Sequence, residues 1–155
     1  AGTFAMDFDE IILFAIALNV TAGLGAIAFA WLDDGIGARV TIMIALVGLL
    51  VAGAAVLSVE SETWFWAAAL VLGVFIGPVQ AASRTFMARL APAEQRSQMF
   101  GLFALSGKAT TFVGPALVGW LTLASGSQRW GMAVILALWA LGLVLIAGVR
   151  SPPAD

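Results

Sequence analysis

The sequence predicts an all-α fold, a polytopic transmembrane helix bundle of five spans, and three observations predict it. Hydrophobic residues are 62% of the 155, charged residues 10%, and the mean hydropathy is +1.05, far from the composition of water-soluble domains. A chain this short has too little interior to hide so much apolar surface, because the buried fraction falls with size. The apolar residues also cluster in five windows, each close to the roughly 20 residues that a helix needs to cross the hydrocarbon.

Those windows are residues 11–32, 40–58, 64–83, 99–124 and 130–149. The first follows Asp7, Asp9 and Glu10, the reverse of a signal peptide's basic leader, and the chain is read as a piece of a longer protein. Asp33, Asp34, Gly35 and Gly37 separate the first window from the second, and Glu60, Ser61 and Glu62 the second from the third. A basic connector, residues 84–98, precedes the fourth. It is expected to be two helix ends and a turn, with Pro92 in the first turn of the fourth helix. Ser125, Gly126 and Ser127 precede the fifth. Such short connections make neighbouring spans antiparallel. Residues 1–150 are read as one transmembrane unit and residues 151–155 as a cytoplasmic tail.

Arginine placement sets the expected orientation. Arg39, Arg84, Arg89, Arg96 and Arg150 fall on one side, and Arg129 falls on the other with Glu60 and Glu62. The arginine-rich side is cytoplasmic, so the amino end lies outside and the carboxyl end inside. Trp64, Trp66 and Trp130 then mark the outer interface and Trp31 the inner one.

Polar residues inside the spans are unevenly shared. The first span has Asn19 and Thr21, the third Gln80 and Ser83, and the fourth Ser106, Lys108, Thr110 and Thr111. The second has only Thr41 between its ends and the fifth has none. Polar side chains at membrane depth face protein or water, so spans one, three and four are expected to line a cavity and spans two and five to face lipid. Lys108, the one lysine, lies about ten residues beyond the inner end of its span, roughly 15 Å deep. A charged group there costs about 2.5–3.5 kcal/mol, which points to a function. No acidic residue lies inside any span, so its counter-charge is expected from the absent chain or the substrate, or it is neutral. Gln80 follows Pro78, which removes a backbone donor. Gly73 and Gly77 form a G-x-x-x-G pair suited to close helix packing.

Several chemistries are excluded. Net charge is −2 with no basic run, so no nucleic acid is expected as a partner. With no cysteine or histidine, thiolate and imidazole metal sites and the usual nucleophile and base pairs are absent, and no cofactor or metal is expected. A Ser106–Lys108 hydrolase dyad fails on geometry, because residues two apart on a helix point about 200° apart. The chain is therefore read as no enzyme. A non-transporting membrane scaffold remains the other reading.

The turn Asp34-x-x-Gly37-x-Arg39 resembles the cytoplasmic loop motif of the major facilitator superfamily, departing from it at Gly35 and Ala38, where basic residues are usual. The stretch GPVQAASRTFMARLAP followed by FGLFALSGKATTFVGP resembles the branch that holds the vacuolar amino-acid effluxers linked to autophagy and their bacterial relatives. That resemblance implies that these are the last five helices of a twelve-helix fold, a carboxyl-terminal half lacking its first helix. It implies as partners the missing amino-terminal half, the lipid bilayer and a small-molecule substrate. It further implies a secondary transporter of an amino acid or similar metabolite working by alternating access, in a bacterial inner membrane. Asn19, Gln80 and Lys108 would then be this half's substrate-binding residues, with Lys108 anchoring a carboxylate. Asp34, Gly37 and Arg39 would form a cytoplasmic gate.

Overall fold

The computed structural model describes residues 7–149. Among them are five long helices: α1 (Phe8–Ile36), α2 (Ala38–Ser58), α3 (Glu62–Leu90), α4 (Arg96–Ser125) and α5 (Gln128–Gly148), with a single 3-10 turn, Ala93–Gln95, before α4. All five are long and apolar enough to cross a membrane. Arg150 and the tail, which entered the expected orientation, lie outside the described residues.

The acidic start of α1 has a local cause. The Asp7 carboxylate accepts from the Phe8 amide, and the Glu10 side chain accepts from the Asp7 amide at 3.0 Å, a reciprocal cap that also sets negative charge at the positive end of the helix. At its other end α1 runs through Asp33, Asp34 and Gly35 and stops at Gly37, whose φ of 87° favours glycine. The third helix likewise continues through Arg84 and Arg89 to Leu90. Pro92 differs from expectation: it caps the 3-10 turn, and α4 begins four residues later at Arg96. Gly126, at φ 67°, closes α4 in the left-handed conformation.

Packing centres on α2. Ala38, Ile42, Leu46 and Leu49 form a core with Ala82 and Phe86 of α3, backed by Trp139, Leu143 and Ile146 of α5. The outer stripe of α2, Val40, Ile44, Val47 and Val51, is exposed. The expectation of a lipid-facing second span therefore holds for one face only. Its other face is the centre of the bundle, because a helix without polar groups can be packed on without leaving any of them unsatisfied.

Glycine sets the closest seam, between α1 and α3. A Cβ at Gly25 would strike the Val74 carbonyl, one at Gly77 the Ala22 carbonyl, and one at Gly73 the Thr21 hydroxyl. Val74 is also the residue whose helical donor is missing, since Pro78 has no amide hydrogen. Gly25 thus lets the α1 backbone close over the carbonyl that Pro78 leaves without its helical bond. Towards the start of both helices, Phe14 stacks on Phe65 and meets Trp66 edge-on, at 5.7 and 4.9 Å between ring centroids. Gly131 plays the corresponding part between α5 and α4, resting on Val118 and Thr122.

Candidate functional site

Helix α4 has no buried residue at any point along its 30 residues. The side turned to α5 carries Val118 and Thr122. Lys108 is exposed. Twelve residues separate it from the first residue of α4, about 18 Å at 1.5 Å per residue. Among the described residues it makes no hydrogen bond or ion pair. At helical spacing above and below it lies a lane of small residues, Gly101, Ala104, Thr111, Pro115 and Gly119, while Leu105 and Phe112, three before it and four after, flank it as closely. Beside that lane runs a bulky exposed band, Leu105, Phe112 and Leu123.

The hydroxyls nearest to Lys108 are turned inward on their own helix. Ser106 donates to Phe103 O, Thr110 to Ser106 O and Thr111 to Gly107 O, at 2.8–2.9 Å. These bonds satisfy the hydroxyl protons within lipid or a cavity alike, which leaves Lys108 as the polar side chain of this stretch without a hydrogen bond or ion pair among the described residues.

Asn19 donates to Ala15 O at 2.8 Å and sits in an open, otherwise apolar groove with Ile12, Ala15, Ile16 and Val20. Gln80 is exposed on α3. The structure does not bring Asn19, Gln80 and Lys108 into contact, but the glycine seams fix their relative heights. Gly73 rests on Leu18 and Thr21, and Gly77 on Ala22 and Ala26, so Asn19 lies about nine residues nearer the starts of α1 and α3 than Gln80, roughly 13 Å along the axis. Following the close approaches of Gly48 to Phe75, Gly53 to Leu136 and Trp139, and Gly131 to Val118 carries the register across to α4. Lys108 then falls between the two amides in height.

At the cytoplasmic-motif end, the structure arranges the three expected gate residues differently from one another. Gly37 makes the turn. Asp34 is exposed and has no ion pair among the described residues. Arg39 reaches α5, donating to Ile146 O at 3.2 Å and to Ala147 O at 2.7 Å. The ion pair that does form joins Asp33 to Arg89 at 3.7 Å, between the ends of α1 and α3. Asp33 Oδ1 is buried and accepts no hydrogen bond. It borders a cavity of about 220 Å³ whose lining includes Phe29, Thr41, Pro78 and Thr85. Sequence reasoning missed this pair. Successive helical residues diverge by 100°, so of the two aspartates only one can turn towards α3, and the continuation of α1 through both was the signal to use.

Comparison with known proteins adds the lineage. A protein of Bacillus subtilis described as an uncharacterized MFS-type transporter, YxiO, is 24% identical over 141 residues, covering 91% of this chain and 33% of that protein. Autophagy-related protein 22 of Cryptococcus neoformans is 31% identical over 90 residues, 58% of this chain and 16% of the relative. Autophagy-related protein 22-2 of Aspergillus niger is 35% identical over 78 residues, half of this chain and 13% of the relative. The chain thus spans about a third or less of the length of these relatives. No solved structure matches. The family described as "Vacuole effluxer Atg22 like" matches residues 1–152, nearly the whole sequence, and the chain belongs to that family.

Proposed function

We propose that this chain forms part of the carboxyl-terminal half of a secondary transporter that moves a small solute by alternating access, with Lys108 as the electrostatic anchor for a carboxylate. The observation that carries the reading is a lone lysine about 18 Å along a membrane-length helix, exposed and without a hydrogen bond or ion pair among the described residues. A lysine in such a place is costly unless water, a counter-charge or a ligand meets it. Relatives described as an effluxer family and as an MFS-type transporter support the transport class, and the family resemblance points to amino acids. Gln80 and Asn19 would offer hydrogen bonds below and above the lysine. In this reading the rest of the parent protein supplies the remaining helices, the α1–α2 turn faces the cytoplasm, and the protein sits in a bacterial plasma membrane.

The test uses the full-length parent protein, cleared of cysteine elsewhere. Single cysteines at Asn19, Gln80 and Lys108, with Leu46 and Leu138 as controls, are exposed to a membrane-impermeant thiol reagent in native membranes. Labelling of the first three against silent controls is the expected outcome. Five silent sites, whatever amino acid is added, would favour a non-transporting scaffold. Counterflow of radiolabelled amino acids into proteoliposomes then identifies the solute, and Lys108→Gln is expected to reduce it at least about tenfold, the loss of one charge-assisted contact.

A further inference from the structure

Helices α2 and α5 are each 21 residues long, and each has an arginine at its second position, Arg39 and Arg129. They run antiparallel, with Gly53 of α2 against Leu136 and Trp139 of α5 at the middle. The two arginines make equivalent contacts at opposite ends. Arg39 gives its Nε and Nη2 protons to Ile146 O and Ala147 O in the last turn of α5. Arg129 gives an Nη2 proton to Val59 O, at the residue that caps α2, at 3.4 Å.

Carbonyls of a last helical turn cannot all be satisfied from within the helix, and negative partial charge collects there. A guanidinium supplies both donors and positive charge, in a fork that can span two neighbouring oxygens. Elsewhere along this interface nothing polar ties the two helices. Thr41, the single polar residue inside α2, gives its hydroxyl proton to Gly37 O of its own turn. Among the described residues, every hydrogen bond between α2 and α5 comes from these two arginines.

We propose that Arg39 and Arg129 are reciprocal end clamps that join α2 and α5 into one strut, so that movement within the bundle takes place at its other seams. The clamp does not depend on the transport reading, and it gives Arg39 a task distinct from gating beside Asp34.

Hydrogen exchange read by mass spectrometry on the purified full-length protein tests it, because each clamp acts on the far helix. Arg39→Gln is expected to speed exchange in the last turn of α5 about twofold to fivefold and to leave the last turn of α2 unchanged. Arg129→Gln is expected to do the reverse, with a smaller effect from its single, longer bond. Arg39→Lys, which keeps the charge and loses the fork, falls between. Changes confined to each arginine's own helix, or no change, overturn the clamp. Arg129 is exposed, so its variant carries the test even if Arg39→Gln fails to insert. For the strut, spin labels at Ala55 and Leu141 on α2 and α5 should give a narrower distance distribution in liposomes than labels at Ala55 and Leu105 on α2 and α4. Equal widths overturn it.

Discussion

Helices α2 and α4 stand at opposite extremes of the same bundle. The first has eight buried residues and one buried polar side chain; the second, nine residues longer, has none buried and carries the lysine. The contrast teaches that in a membrane the two jobs of holding and binding separate by helix. An apolar helix can be packed on from two sides because it brings nothing that water would have to satisfy. A helix with a charge must keep one side clear, and α4 leaves Lys108 exposed.

The sharpest way to break the α1–α3 seam that supports α2 is to fill it. Gly25→Leu would drive a side chain into the Val74 carbonyl; backbone cannot yield as a side-chain tip can, so loss of the folded protein is expected, seen as aggregation on gel filtration. Gly107→Ala on α4 meets open space and is expected to stay within about 0.5 kcal/mol of wild type. Next in size is the core. Leu49→Ala, at 2% exposure, is expected to cost about 2–5 kcal/mol, against less than about 0.5 kcal/mol for Leu105→Ala on α4, at 64%. Thermal unfolding in one detergent measures both, and equal losses would erase the contrast. Gly126→Ala, at the left-handed close of α4, should cost about 1 kcal/mol. The smallest effect is at the Asp33–Arg89 pair. Arg89 is half exposed, so Arg89→Gln is expected to cost under about 1 kcal/mol and to lose even that difference as salt is raised.

Much of this was legible in the sequence. Apolar runs separated by short polar punctuation give five helices, and Gly73 and Gly77 do pack where a G-x-x-x-G pair suggests, while Gly101, Gly114 and Gly119 meet nothing within 4 Å. The place of Lys108 well inside a membrane-length helix followed from counting. Other features were not legible, for identifiable reasons. Asp33–Gly35 read as a break between the first two helices because it is polar, but a charged residue stops only the hydrocarbon crossing, and α1 continues to Ile36 at little cost. Arg39 was grouped with Asp34 and Gly37 as a cytoplasmic gate on the resemblance of their turn to a family motif, which says nothing of distant partners. Its partners are 107 and 108 residues away, on a helix end that offers carbonyls and no charged side chain to betray the contact.

Gly37 has a mechanical consequence. It is the lone non-helical residue between α1 and α2, and a peptide chain bends freely only at φ and ψ. The joint therefore has two degrees of freedom, where the links from α2 to α3 and from α3 to α4 have several. A tilt of α1 is delivered to α2 through a single universal joint, with almost no slack to absorb it.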